Sequence, residues 1–340
     1  MEQEIRVAVF GATGYTGAEL LRYLKNHPYV KLLSLTSQSH PGKRLREVFP
    51  HFSGSYLGGL FLEAEPSEDF DVAFLCLPHE VSLELVPKLL QKGKRVIDLS
   101  GAYRLKNPSL YPEYYHFEHP YPQHLQEAVY GLSEVYREKI KEARLVANPG
   151  CYPTAVLLAV YPLLKEGIEF DLLIVDALSG VSGAGRKTSQ KFHHPEMEAN
   201  AFAYSVDKHR HTPEMEEKVE ELSGRKVSVR FTPQVLPTSR GMMAKVYLRV
   251  ERANYTELYR DVYVGEDFIV VCDEPPFIKQ ALGSNLCLLY PYYDERTQIL
   301  EVISVIDNLG KGASSQAVQN FNLMFGIREN TALDGIPFFP

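Results

Sequence analysis

Residues Gly11-Ala12-Thr13-Gly14-Tyr15-Thr16-Gly17 stand between the run Ile5–Phe10 (IRVAVF) and the segment Ala18–Lys25 (AELLRYLK). The run is short and apolar, which predicts a strand. The segment spaces its leucines as one helix face does, and His27-Pro28 stops it. A glycine-rich turn between a strand and a helix is the setting a dinucleotide fingerprint requires. The first glycine permits a tight turn, the second lets backbone approach a pyrophosphate, and the third lets the helix pack on the strand. The helix N-terminus then offers free N–H groups to the anion. The spacing is GxxGxxG rather than GxGxxG, a variant of the same device. Gly11, Thr13, Gly14, Tyr15, Thr16 and Gly17 are therefore candidate cofactor residues.

Further strands are expected at Val30–Thr36 (VKLLSLT), Asp71–Leu77 (DVAFLCL) and Arg95–Leu99 (RVIDL), with a helix over Val81–Lys92. Near-continuous apolar strands alternating with helices predict a parallel sheet covered on both faces. The texture changes after Asn148-Pro149-Gly150. A helix over Thr154–Lys165 leads into LLIVDAL, then the Gly/Ser-rich SGVSGAG, then a polar stretch through Pro213. Beyond Val227, runs such as KVSVRFTPQV, AKVYLRV and ILEVISVID alternate as longer strands of a mixed sheet do. A last helix starts at Ala313 (ASSQAVQNFNLMFG), about 313–340, and is expected to return to the first domain. The expected class is α/β: a Rossmann-type domain over 1–150 and an α+β domain with a large mixed sheet over 151–312.

Length and composition agree with two globular domains: 340 residues, 45% hydrophobic and 23% charged. A net charge of −7 argues against a nucleic-acid binder. No stretch reaches the roughly 18 apolar residues of a membrane span. MEQEIRVAVFGATG runs into a strand without a basic leader, so a cytoplasmic location is expected. Of the four cysteines none forms a CxxC pair, and Cys76 (VAFLCLP) and Cys287 (NLCLLY) read as core cysteines in strands.

An NAD site usually places Asp or Glu about 20 residues after the turn, on the ribose 2′-OH. Here the second strand ends in Leu35-Thr36-Ser37-Gln38-Ser39, with no carboxylate. The hydroxyls of Ser37 and Ser39, with Lys43 and Arg44 nearby, suit a 2′-phosphate, so NADP(H) is expected.

Cys151 stands in Asn148-Pro149-Gly150-Cys151-Tyr152-Pro153-Thr154, ahead of an apolar helix. A thiol near a helix N-terminus is favoured as the thiolate, the nucleophilic form. Such a nucleophile needs a proton-transfer partner, and Lys208-His209-Arg210-His211 supplies two imidazoles with cations to hold an anion. Spacing alone leaves open which histidine acts.

GATGYTGAEL, LPHEVS, DLSGAYRL, ANPGCYPT, SGVSGAGR, HRHTPE, PTSRGM and DNLGKGASSQAVQNFN together resemble the N-acetyl-γ-glutamyl-phosphate reductases, arginine-pathway relatives of aspartate-semialdehyde dehydrogenase. The motifs run in order from Gly11 to Asn322. The resemblance implies an acyl-phosphate substrate, Cys151 as nucleophile and His211 as acid/base. It places Ser179, Gly180, Ser182, Gly183 and Asn308 near the nicotinamide. Arg104, Asn148, His209, Arg210 and Arg240 become candidates around the substrate. It also implies a homodimer or homotetramer. Where the family commonly has Asp-Phe-Arg-Leu, this chain has Ala102-Tyr103-Arg104-Leu105, which keeps the arginine.

The neighbouring reading is the carrier-protein-linked aminoadipyl-phosphate reductase of lysine biosynthesis. That branch tends to have Gly-Cys-Asn-Ala-Thr where this chain has Gly-Cys-Tyr-Pro-Thr. A nicotinamide-binding regulator without turnover, or an alcohol dehydrogenase that forms no thioester, would leave Cys151 without a task. His116, His119, His193 and His194 match no zinc template and read as solvated loop residues. Tyr111–Tyr121 reads as aromatic packing over the site. Glu214–Glu221 (EMEEKVEE) reads as a solvated helix face.

Overall fold

The computed structural model describes residues 4–67 and 69–338. Its described residues fall into two compact units. The first takes in those of Met1–Pro108, His119–Pro149 and Ala313–Leu333; the second those of Ser109–Glu118, Gly150–Gly312 and Asp334–Pro340.

The first unit is built on a seven-stranded sheet: β1 (Ile5–Phe10), β2 (Val30–Thr36), β3 (Leu62–Glu63), β4 (Val72–Leu75), β5 (Arg95–Asp98), β6 (Val129–Tyr130) and β7 (Leu145–Ala147). The order is β3-β2-β1-β4-β5-β7-β6, and every pairing is parallel. Val7, Ala8, Val9 and all of Val72–Leu75 are buried, as strands covered on both faces must be. The strand order reverses about β1, and that is where an open α/β sheet places a ligand, beyond the carboxyl ends of its strands. The turn after β1 lies there.

The second unit holds a mixed sheet of β8 (Leu172–Gly180), β9 (Phe202–Ala203), β10 (Ser228–Leu236), β11 (Met242–Arg249), β12 (Ile269–Val271), β13 (Cys287–Asp294) and β14 (Ile299–Ile306). Its order is β12-β13-β14-β11-β8-β10-β9. Burial alternates along β8 and β11, with Val175, Ala177, Ala244 and Val246 on the covered face. The Cys151–Lys165 helix, with twelve buried residues, belongs to this core.

Three expectations need correction. The last helix covers only Ser315–Met324, because Gly326 turns the chain at φ +65° with its N–H on Leu323 O. The Cys151 helix begins three residues earlier than expected. Pro153 lies in its first turn, where no intrahelical N–H bond is lost. Cys76 lies one residue past β4 and is half-buried, while Cys287 is in the core as expected.

Candidate active site

Cys151 is the first residue of its helix and Gly150 is the N-cap. The half-buried thiol therefore sits at the N-terminus of a fifteen-residue helix, whose dipole stabilises an anion placed there. Gly312 is obligatory beside it: a Cβ at 312 would lie 2.8 Å from Cys151 Cβ. Gly150 has the same character, since its Cβ would come 2.5 Å from His211 Nε2. The imidazole of His211 thus lies against the α-carbon next to the nucleophile.

His211 opens the His211–Ser223 helix. Its backbone N–H donates to His209 Nδ1 at 3.1 Å. The His209 ring is packed edge-on against Tyr152, Tyr204 and Phe231. Burial, with Arg210 nearby, pushes its pKa down to about 4, so at neutral pH it is an uncharged acceptor. His209, expected around the substrate, is placed by the structure so that its Nδ1 serves the backbone of His211. Arg210 is exposed.

Glu214, in the run expected to be a solvated face, is 0% exposed, and Lys218 is buried with it. Glu214 Oε1 accepts the Gly150 N–H at 2.9 Å. The acidic helix has two faces, and His211, Glu214, Met215 and Lys218 lie on the covered one. The spacing 211, 214, 218 is the signal that could have exposed this, because residues three and four apart share a helix face. Lys218 pairs with Glu217 and Glu221 at 3.0 Å each.

Ser179–Gly185 leaves β8 and meets the segment before β11. The N–H groups of Gly180, Val181 and Ser182 donate to the carbonyls of Gly241, Thr238 and Ser239. Asn308 joins the cluster, giving Nδ2 to Ser182 Oγ at 2.9 Å and accepting Gly241 N–H on Oδ1 at 2.6 Å. A Cβ on Gly183 would lie 3.3 Å from Ser179 Oγ, and one on Gly180 would lie 2.7 Å from the Arg240 backbone. Arg240 is held by Asp307, Nη2 to Oδ2 at 2.8 Å.

In the first unit, Gly11 has φ +76° and its Cβ would overlap the carbonyl of Cys76. A Cβ on Gly17 would overlap Gly11 O, whereas one on Gly14 meets nothing closer than 3.5 Å. Two glycines are thus demanded by the turn itself, while Gly14 leaves room beside the start of the Tyr15–Leu24 helix, where a pyrophosphate can be held. Thr16, at the start of that helix, accepts Ser314 Oγ–H on its carbonyl. At the end of β2, Thr13 Oγ1 and Ser37 Oγ are 2.8 Å apart and Ser39 is exposed. Arg44 lies over the Phe61 ring at 4.9 Å. The neighbouring carboxylate, Glu63 on β3, is taken by Ser34.

Asn148 is 1% exposed, gives Nδ2 to Ala313 O at 3.0 Å and accepts Asn320 Nδ2 at 3.0 Å. Expected around the substrate, it spends both ends of its amide on tying chain segments together. Arg104 donates to the carbonyls of Asn148 and Leu99, so its charge is fixed beside that loop. His119 is not solvated either: 7% exposed, it is bonded to Ala102 O, because it packs on Tyr103. His116, His193 and His194 are exposed.

Residues 6–143 match the family model "Semialdehyde dehydrogenase, NAD binding domain", and residues 151–308 match "Semialdehyde dehydrogenase, dimerisation domain". The chain is 60% identical over 340 residues to an N-acetyl-gamma-glutamyl-phosphate reductase of Aquifex aeolicus, covering 100% of both. It is 44% identical over 351 residues to the enzyme of that name from Magnetococcus marinus, again over 100% of each chain. Among solved structures, aspartate semialdehyde dehydrogenase II of Vibrio cholerae superposes with a TM-score of 0.72 at 21% identity, over 95% of this chain and 98% of that one. The Candida albicans aspartate semialdehyde dehydrogenase solved with NADP gives 0.69 at 15%, over the same shares. These two likenesses show the fold. Among the described residues, no helix is long and apolar enough to cross a membrane.

Proposed function

Because the chain belongs to the N-acetyl-gamma-glutamyl-phosphate reductase family, we propose that it reduces N-acetyl-γ-glutamyl phosphate to the 5-semialdehyde through a thioester on Cys151, with NADPH as reductant. Membership makes it an oxidoreductase of an acyl phosphate in arginine biosynthesis with a nicotinamide cofactor. The thioester and the choice of NADP are our reading.

The Cys151 thiolate attacks the acyl carbon, the bond from that carbon to the phosphate oxygen breaks, and inorganic phosphate leaves. When bound, the cofactor supplies a hydride to the thioester carbon. The hemithioacetal oxygen so formed takes a proton from His211, and the same proton returns to the His211 imidazole as the carbon–sulfur bond breaks, releasing the aldehyde and restoring the thiolate. Glu214 holds the N–H of Gly150, the residue before Cys151, and His209 holds the N–H of His211 itself, so the sulfur and the imidazole are fixed by backbone contacts. Arg240, Arg210 and Arg104 are assigned to the anionic groups of the substrate. Ser179, Gly180, Ser182, Gly183 and Asn308 are assigned to the nicotinamide end of the cofactor, and Gly14 with Tyr15–Gly17 to its pyrophosphate. Ser37, Ser39 and Arg44 are assigned to the 2′-phosphate.

The observation that carries this reading is the His211 ring lying against Gly150, beside a cysteine at a helix N-terminus. Its test is the reverse reaction of the purified protein with N-acetylglutamate semialdehyde, phosphate and NADP, run beside NAD and the aminoadipate analogue. The reading expects phosphate-dependent reduction of NADP with the N-acetyl substrate. Turnover indifferent to phosphate, or faster with the aminoadipate analogue, contradicts it, and equal use of NAD removes the cofactor assignment.

A further inference from the structure

We propose that the C-terminal tail is a positioning element for Arg240, acting through Phe338 and the turn Leu282-Gly283. Every residue in this relay belongs to the second unit. Phe338 N–H donates to Leu282 O at 2.8 Å. Its ring lies on the α-carbon of Gly283, where any Cβ would overlap it, and Gly283 has φ +74°. Both facts demand glycine at 283.

The other side of the same turn faces Arg240. Gly283 N–H donates to Asp307 Oδ2. Asp307 is 0% exposed, also accepts the N–H groups of Leu309 and Gly310, and grips Arg240 through both carboxylate oxygens. Leu282 and Ile278 fill the space a side chain at Gly241 would need, and Gly241 sits at φ +100°. The turn thus has the tail on one side and the Arg240–Gly241 backbone, with its carboxylate partner, on the other. A displaced turn loosens Asp307 and with it the bidentate pair that orients the guanidinium.

Phe338 remains 55% exposed and Ile336 87% exposed, so the tail adds little to the core. Its removal should therefore cost little folding stability. What it fixes is the position of a side chain.

The part concerning kinetics rests on the role given above to Arg240; the structural part does not. The experiment compares full-length protein with Phe338→Ala, Phe338→Tyr and a chain ending at Leu333. Hydrogen exchange at the Gly283 and Gly241 amides reads the relay without turnover, and is expected to quicken in Phe338→Ala and the truncation but stay near wild type in Phe338→Tyr. The KM for phosphate in the reverse reaction should rise about tenfold in the first two variants, with kcat within about twofold. Unchanged exchange overturns the relay. Quickened exchange with an unchanged KM overturns the positioning of Arg240, as does a parallel fall in kcat and melting temperature. A wild-type protein without phosphate-dependent turnover would defeat the proposed function instead, leaving the exchange result to decide the relay.

Discussion

Glu214 Oε1 accepts the backbone N–H of Gly150 at 2.9 Å, and both residues are sealed from solvent. Gly150 caps the helix that begins with Cys151, and Glu214 follows His211 by one turn of the other helix. One hydrogen bond therefore joins the carrier of the nucleophile to the carrier of the imidazole. Glu214→Ala leaves the Gly150 amide buried without its acceptor, which costs about 1–3 kcal/mol. We expect a lower melting temperature and a kcat reduced more than the affinity for NADPH is. Glu214→Gln keeps an acceptor oxygen and should be the milder change. Equal kcat in wild type and Glu214→Ala would show that the bond does not set the site.

His209 carries a pH dependence. Its folded pKa is lowered to about 4 from an ordinary 6.5, so the unfolded chain binds the proton more tightly. The stability this gives is present above pH 6.5 and is lost as pH falls from there to about 4. The loss amounts to about 3 kcal/mol. Denaturant titrations across this window should show a shallower fall for His209→Asn than for wild type. His119, lowered to about 4 by its own burial, keeps part of the slope in that variant. In kinetics, His211→Asn should lower kcat more than His209→Asn, and the reverse ranking would exchange the two roles.

The two glycines of the nucleotide turn should separate folding from binding. Gly17→Ala drives a methyl into Gly11 O and should lower the melting temperature. Gly14→Ala meets only ordinary contacts in the protein, with nothing nearer than 3.5 Å, so it should fold normally yet bind NADP at least about tenfold more weakly. Calorimetry of both variants checks this. Normal NADP affinity in Gly14→Ala would remove the pyrophosphate from that glycine.

Self-association is assigned to the open face of the mixed sheet. Arg230, Ile174, Tyr247, Glu301 and Tyr292 pair in one row across five strands, with Ile174 42% and Tyr292 51% exposed. Exposed apolar positions on a large sheet mark an interaction surface. Ile174→Arg should sediment as a smaller species than wild type. Unchanged sedimentation would place the interface elsewhere.

Most of the first unit was legible because its strands are uniformly apolar and its turn is spelled in glycines. Val30–Thr36 falls where the pattern puts it. The nucleophile's setting was legible too, as Pro149-Gly150 ahead of an apolar run marks a helix start. Long-range pairing was not legible. Nothing in the pattern says that Glu214 of an acidic run turns inward to Gly150, that Asn148 spends its amide on Ala313 and Asn320, or that His209 Nδ1 accepts the His211 N–H. Each is a polar group satisfied inside the protein, and composition reads the same for a solvated side chain.

The proposed reaction passes through a covalent acyl group on one sulfur. Wild-type protein mixed with N-acetylglutamate semialdehyde and NADP, without phosphate, should release a burst of NADPH stoichiometric with Cys151. Mass spectrometry of the quenched protein should then find an N-acetylglutamyl group replacing the thiol proton of the Cys151 peptide, absent in Cys151→Ser and discharged by added phosphate. A burst with no adduct, an adduct on another residue, or phosphate-dependent turnover surviving in Cys151→Ser would contradict the account.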